Sequence, residues 1–517
     1  MTALLCLANL SVCAAAGFLS TQGRAFIDSE GRQVLLHGMA VISKNRATNY
    51  QPWQSAEDFA RMKQWGMNCI RLGISWDAVE PEMAQFDEAF LKKLDGWIAL
   101  AAEHDLYVFL DMHQDLYGVK FDNGAPLWAT LDDNLPHPKR SGIWSDGYAL
   151  SPAIQRSFDN FWANAPCADG VGVQDHFATA WRHVANRYKN NTTVIGYDLL
   201  NEPNIGSGNL DAQLAITGAL AKAWKAKFPE QALDDIALMQ AWLTPHGRSQ
   251  IMDLMRDMEI YKPMVDDAAS IFVKFEREQM VPMFQRVRDA IRTVDNEHII
   301  MLETSMSANM GIPTGVDVVR DENGKPDTRQ AYAPHGYDIV VDTPDRPNPS
   351  LERLGLIFTR HAKTAQRMDV PVLIGEWGAY GNISAAIVPG ARHLTGLMET
   401  HLMSDTYWEY GRYVTDPDCV YREILQRPYP QRVAGKLRSY KTDYETLTFE
   451  CTWKEDGTIT APTMIYVPAR FNLNNRKLAL TPKGTTYTLE PVTQSADDVY
   501  ITIPPTGKKS KRSFTIQ

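Results

Sequence analysis

The chain has 517 residues, of which 44% are hydrophobic and 22% charged, and its formal net charge is −10. That length buries a large core and is more than one domain ordinarily uses. The composition is that of a globular protein, and the acidic balance argues against a nucleic-acid partner, whose phosphates want clustered Lys and Arg.

Residues 1–16, MTALLCLANLSVCAAA, read as a signal peptide, a short apolar run ending in small residues before Gly17. This predicts a secreted or periplasmic product, a location compatible with work at a membrane. No other run approaches the ~20 apolar residues that span a bilayer. Beyond the leader stand Cys69, Cys167, Cys419 and Cys451. Cys69 falls in a core strand and reads as a buried thiol. No CxxC or Cys/His spacing suggests a metal, and no cofactor is expected.

Residues 24–36 read as a hairpin turning at Ser29-Glu30-Gly31, leading into a first strand that ends near Lys44. Ser55, with Asp58 three residues on, caps the next helix, whose Phe59 and Met62 face inward. The second strand, 67–76, carries Arg71 inside its apolar run. A helix from Asp87 sets Phe90, Leu94, Trp97 and Ala101 on one stripe. The third strand, 107–115, ends in His113 and Asp115, and a long aromatic loop, 116–150, follows. Loops of that length inside a compact domain are functional or disordered, and its aromatics favour function. A helix over 175–188 feeds the fourth strand, VIGYDLLNEPN (194–204).

After it, 205–262 form an insertion of amphipathic segments, with Leu233, Ile236, Met239, Trp242, Leu243, Met252, Met255 and Met258 as apolar members. A helix over about 263–293 precedes the fifth strand, HIIMLET (298–304). The sixth is AYAPHGYD (331–338), the seventh carries Glu376, and the eighth is DTYWEYG (405–411). Strand after helix, eight times, predicts a (β/α)8 TIM barrel over 17–415. From 416 to 517 short alternating strands without helices predict an α/β chain that closes with an antiparallel β-sandwich domain. Its basic end, 508–512, reads as a solvated segment.

Two stretches carry the chemistry. Val194–Leu200 is apolar and ends in Asn201-Glu202-Pro203; 370–380 has the same plan, an apolar run and then Glu376-Trp377-Gly378. A carboxylate at the end of a buried strand is costly unless it has a task. Two of them on the catalytic face of a parallel barrel point to paired-carboxyl chemistry, with Glu202 as acid/base and Glu376 as nucleophile of a retaining glycosidase. The other strand ends supply the candidate substrate-binding residues Lys44, Arg71, His113 with Asp115, Asn201, His335 with Tyr337, and Trp408. Arg71 near Glu376 would be its counter-charge, and Tyr337 would hydrogen-bond it. Asn201 is placed to bond a sugar 2-hydroxyl. His113 and Asp115 offer polar partners to hydroxyls, and Trp408 a flat face for a ring.

Asn201-Glu202-Pro203, Arg71, His113, His335-Gly336-Tyr337, the GEWG stretch around Glu376 and Trp408 together resemble the family-five glycoside hydrolases, across the whole barrel. Within them, FLDMHQDLYG, YDLLNEPN and the trailing sandwich resemble endoglycoceramidases. The resemblance implies a retaining cleavage between glycan and ceramide of a glycosphingolipid, with Glu202 and Glu376 in the roles above. It implies further that His113, Asp115 and Asn201 hold the glucose unit next to ceramide, joined by Lys44 and Trp144. Fungal relatives of the same architecture release single glucose from ceramide or sterol glucosides, so the depth of the sugar side stays open.

Met306, Met310 and Ile312, and the apolar run 383–389, are expected on catalytic-face loops, where they would suit a two-tailed aglycone presented in a membrane or micelle. No obligate protein partner is expected. The competing readings are an endo-β-glucanase or mannanase of the same family, and a carbohydrate-binding protein that has lost catalysis.

Overall fold

The structure, a computed structural model, describes residues 17–138, 143–494 and 496–517, so the expected leader lies outside the described residues. Eight strands form the barrel: β1 His37–Val41, β2 Cys69–Ile74, β3 Tyr107–Met112, β4 Val194–Asp198, β5 Ile299–Leu302, β6 Gln330–Tyr332, β7 Leu373–Ile374 and β8 Ser404–Tyr407. Their order around the sheet is β7-β8-β1-β2-β3-β4-β5-β6, all parallel. A parallel bridge between Tyr332 and Val372 closes the ring, and His335–Gly336 pairs with Glu376–Trp377 just above it. These strands are buried on both faces, which is why they read as apolar runs rather than alternating ones.

Three helices sit where periodicity put them. In Ala56–Gln64 the Asp58 carboxylate accepts from the Ser55 amide at 2.8 Å, completing a capping box. In Glu88–Glu103 the Asp87 side chain caps the amides of Ala89 and Phe90, and Phe90, Leu94, Trp97 and Ala101 are buried. Val173–Tyr188 buries Phe177, Trp181, Val184 and Tyr188.

The span expected as one helix over 263–293 is instead broken into pieces. Met258–Asp267 and Ala269–Phe275 are followed by a π-helical turn, Glu276–Met280, and then Val281–Arg292. Pro282 has no N–H to return to the carbonyl four residues back, and the wider turn absorbs that missing bond.

Between β4 and β5 the helices Asn209–Lys227, Asp235–Trp242, Pro245–Leu254 and Met258–Asp267 gather a core of their own around Leu220, Leu238, Ile251 and Tyr261. Ile312 is buried in that core rather than on a free loop. Leu233, Ile236 and Leu243, by contrast, are exposed.

Beyond the barrel, two antiparallel sheets face each other. Gly435–Asp443, Thr448–Glu455, Lys511–Ile516 and Leu478–Thr481 make one. The other is seven-stranded and includes the chain's first strands: Gln33–Val34 pairs with Tyr429–Val433. The N-terminal hairpin is thus an extension of the last sheet, as an isolated two-stranded ribbon is at best marginally stable. Phe449, Cys451, Trp453, Ile465, Ile501 and Phe514 fill the space between the sheets.

One expectation is corrected here. The basic end is not all solvated, because Arg512 is buried in an ion pair with Glu455 on a neighbouring strand. Leu489 is exposed because Thr488–Pro491 is the outermost strand of its sheet. The four described cysteines are free thiols, and Cys69 is fully buried. Among the described residues no helix is long and apolar enough to cross a membrane.

Candidate active site

A buried guanidinium organises the floor. Arg71, inside β2 and wholly shielded from solvent, donates to Asp198 through Nε at 3.1 Å and to Glu303 at 2.8 Å. It pairs with Asp111 at 3.0 Å and bonds the Glu376 carboxylate and Asn201 Oδ1. Arg71 thus meets four carboxylates from the ends of β3, β4, β5 and β7, with the His113 and His335 rings beside the same acidic groups. Burial pushes Asp198 well above the usual carboxyl range, and Glu303 beside it adds to the effect. Burial also disfavours charge on Asp111, yet Arg71 and His113 hold that carboxyl below its usual range. The acidic groups of Asp111, Asp198 and Glu303 have a metal-like spacing, but the guanidinium already fills the place of a cation.

Above this floor sit the two glutamates. One carboxylate oxygen each of Glu202 and Glu376, with a His335 ring nitrogen, lie within 4.8 Å of one another. That spacing fits attack by one carboxylate and protonation by the other; a gap of roughly 6.5–9.5 Å would leave room for an attacking water. The two groups differ in their partners. Glu376 accepts from Arg71 and from the Tyr337 hydroxyl at 2.8 Å. Glu202 accepts at Oε1 from His335 Nδ1 at 2.9 Å and Asn309 Nδ2 at 2.7 Å. Burial pushes the Glu202 carboxyl up; His335 pulls it down, and Glu376 and Glu303 add to the rise. Burial likewise disfavours a charged His335, but the carboxylates of Glu303, Glu376 and Glu202 raise it well above the ordinary imidazole value.

Glu202 adopts a left-handed backbone, φ 43°, a strain typical of functional positions. Its amide donates to Glu303 at 2.8 Å, and Gln114 Nε2 clasps the carbonyls of Asn201 and Glu202. Asn201 spends Oδ1 on Arg71 and one amide hydrogen on the Gln114 carbonyl, which leaves its other hydrogen for a ligand.

A third group forms one wall. His113 is held by Asp111 at 2.8 Å and stacks on Trp408 with ring centroids 5.1 Å apart. Burial opposes its charge, but Asp111 raises it to about 9. Lys44 pairs with Asp115 and lies over the Trp408 ring at 5.0 Å. Trp144, half exposed, donates to Asp342 at 3.1 Å.

Lys44, His113, Asp115, Trp144, Asn201, Glu202, Tyr337, Glu376 and Trp408 together line one cavity of about 980 Å³. Arg71 and His335, expected to touch substrate, do not line it; both are buried beneath and act on the carboxylates instead. The insertion supplies much of the remaining lining, through Leu220, Leu238, Met239 and Trp242 among others, joined by Met306 and Met310. The run 383–389 does not reach the cavity, and Ile387 is instead buried in the barrel core.

Glu303, Asp111, Asp198 and Asn309 were missed from the sequence. Glu303 ends the apolar run HIIMLET, the same signal that singled out Glu202. Asn309 is a polar residue in a loop and gave no signal at all.

Residues 27–413 match the family model described as Cellulase (glycosyl hydrolase family 5), and residues 427–516 match the glycoside hydrolase family 5 C-terminal domain. An endoglycoceramidase of Cyanea nozakii is 24% identical over 484 residues, covering 84% of this chain and 80% of the relative. Endoglycoceramidase I of Rhodococcus hoagii is 34% identical over 193 residues, 37% of each chain. The solved structure of endo-glycoceramidase II from Rhodococcus sp. superposes with a TM-score of 0.72 at 24% identity, covering 96% of this chain and 99% of that one. The polar floor, the paired glutamates at strand ends and the trailing sandwich therefore have one source: this chain belongs to glycosyl hydrolase family 5.

Proposed function

We propose that the protein is a retaining β-glycosidase that cleaves the bond between the glycan and the ceramide of glycosphingolipids. The observation that carries this reading is the single cavity holding both a carboxylate pair ringed by hydroxyl-binding groups and an apolar wall from the insertion. A soluble polysaccharide needs no such wall, whereas a sugar joined to two alkyl chains needs both halves. The kinship agrees with it: a relative named endoglycoceramidase matches 84% of the chain, and the Rhodococcus endo-glycoceramidase II has been solved as a ganglioside GM3 complex and as a lactosyl-enzyme intermediate.

The steps follow from the geometry. Glu376, aimed by Arg71 and Tyr337, attacks the anomeric carbon while Glu202 gives its proton to the ceramide oxygen. Burial keeps Glu202 protonated to higher pH than a free carboxyl, as a general acid requires. The free Asn201 amide hydrogen faces the 2-hydroxyl as the oxocarbenium character grows. A water then attacks the anomeric carbon as Glu202 takes its proton, the bond to Glu376 breaks, and the glycan leaves with retained configuration.

Incubation with lactosylceramide beside a soluble β-glucan tests the reading by mass spectrometry of products. Intact lactose with ceramide is the expected result; cleavage of the glucan alone would sink it. The aglycone side has its own test. Full burial of a Met side chain is worth about 1.5–3 kcal/mol, and a half-open wall realises about half of that. Met306→Ser with Met310→Ser together should raise KM for lactosylceramide about tenfold. A short aryl lactoside, which does not reach that wall, should be nearly unaffected. Equal losses on both substrates would mean that these methionines are only structural.

A further inference from the structure

The loop that follows β5 connects parts of the molecule that the reaction needs to act together. Ser305, Met306, Ser307, Asn309 and Met310 line the cavity, with Met306 and Met310 flanking Asn309. Asn309 Nδ2 donates to Glu202 Oε1 at 2.7 Å, the same oxygen that receives His335 Nδ1 at 2.9 Å. A carboxylic acid with both acceptor positions of one oxygen filled keeps its proton on the other. These two donors together place the transferable proton on Oε2.

His335 rises from the barrel floor, but Asn309 depends on its loop being held. Glu276, in the π-helical turn, is fully buried, and no basic side chain is among its bonded partners. Its Oε1 accepts from the Ser305 amide at 3.0 Å and the Ser305 hydroxyl at 2.7 Å; its Oε2 accepts from the Thr314 hydroxyl at 2.6 Å and the Gly315 amide. One carboxylate thus clasps both ends of the loop. Between those ends the Met306 amide donates to the Pro203 carbonyl at 3.3 Å, and Tyr261 of the insertion bonds the Met310 carbonyl. A buried carboxylate without a cation costs several kcal/mol unless its hydrogen bonds are complete, so its use here as a loop anchor has a physical reason.

We propose that Asn309, held in place by the Glu276 clasp, is a positioning residue that orients the acid/base Glu202 for protonation of a lipid aglycone. This rests on the reading of Glu202 as acid/base. The groups facing Glu202 are His335, Glu303, Glu376, Tyr148 and Tyr337. None of them is altered by a change at 309.

The test compares Asn309→Ala with the unaltered enzyme on lactosylceramide and on 2,4-dinitrophenyl lactoside, across pH. Loss of a hydrogen bond to an ionising group should lower kcat/KM on lactosylceramide about ten- to a hundredfold. Glycosylation by the dinitrophenyl substrate, whose leaving group needs no proton, should change less than twofold. The alkaline limb of kcat/KM on lactosylceramide should move to higher pH, because the Glu202 anion has lost a donor. Glu276→Gln, which puts an amide NH2 against donors, should show the same leaving-group dependence with a smaller loss. Equal losses on both substrates with an unmoved alkaline limb would overturn the proposal and leave the loop a structural wall. If the unaltered enzyme cuts a different β-glycoside and not lactosylceramide, the substrate reading fails. The proposal for Asn309 is then decided by the same two signatures on that glycoside and its aryl counterpart.

Discussion

Glu376→Gln should lose turnover by on the order of 10⁴-fold or more, as removal of a covalent nucleophile does, while the protein stays folded. The amide keeps the shape of the side chain but has no oxygen able to form and release a glycosyl ester. Arg71 retains Asp111, Asp198 and Glu303 as partners, so the floor does not lose its balance of charge. Thermal unfolding should therefore be little changed, which separates lost chemistry from lost structure. A 2-fluoro glycoside, whose slow second step traps the intermediate, should label the unaltered enzyme at Glu376. Peptide mapping that finds the label on another residue would remove Glu376 from the nucleophile's role.

Glu202→Ala should behave differently, and the difference is diagnostic. Protonation of the leaving oxygen contributes about 10²–10⁴-fold, so cleavage of lactosylceramide should fall by that factor. A dinitrophenyl glycoside leaves without a proton, and its first step should survive. The second step still needs a base, so the glycosyl–Glu376 intermediate should accumulate after a burst. Azide fits the space vacated by the carboxylate and needs no deprotonation; it should speed turnover and appear as a β-glycosyl azide. The Glu202 amide bond to Glu303 belongs to the backbone and remains in the variant. Equal inactivity on activated and natural substrates, without rescue by azide, would mean that Glu202 is not the acid.

Much of this site was legible in the chain because strand ends and chemistry coincide in a parallel barrel. A buried strand shows as an apolar run, and a charged residue at its end is improbable without a purpose. That reasoning brought out Glu202, Glu376, His113 and Tyr337, and the structure sets Glu202, Glu376 and Tyr337 about one small space, with His113 on the wall of the same cavity. The capped helices at Ser55 and Asp87 were legible for the same reason, since caps and stripes are local.

What the tertiary structure alone decided depends on register and on distant contacts. Asp111, Asp198 and Glu303 belong to three different strands, and only the stagger of those strands brings them onto one guanidinium. Arg71 bonds Glu376 as its reading as a counter-charge implies, but that it and His335 lie buried beneath the cavity, with His335 on Glu202, is a matter of packing. Met310 and Ile312 are two residues apart and equally apolar, but the first lines the cavity and the second fills the core of the insertion. Composition cannot separate them, because the hydrophobic effect rewards either burial alike and has no direction. The N-terminal hairpin joins strands some four hundred residues away, and Asn309 meets Glu202 from a loop whose two ends Glu276 bonds. Periodicity reports which face of an element is apolar; which partner covers that face is settled when the whole chain packs.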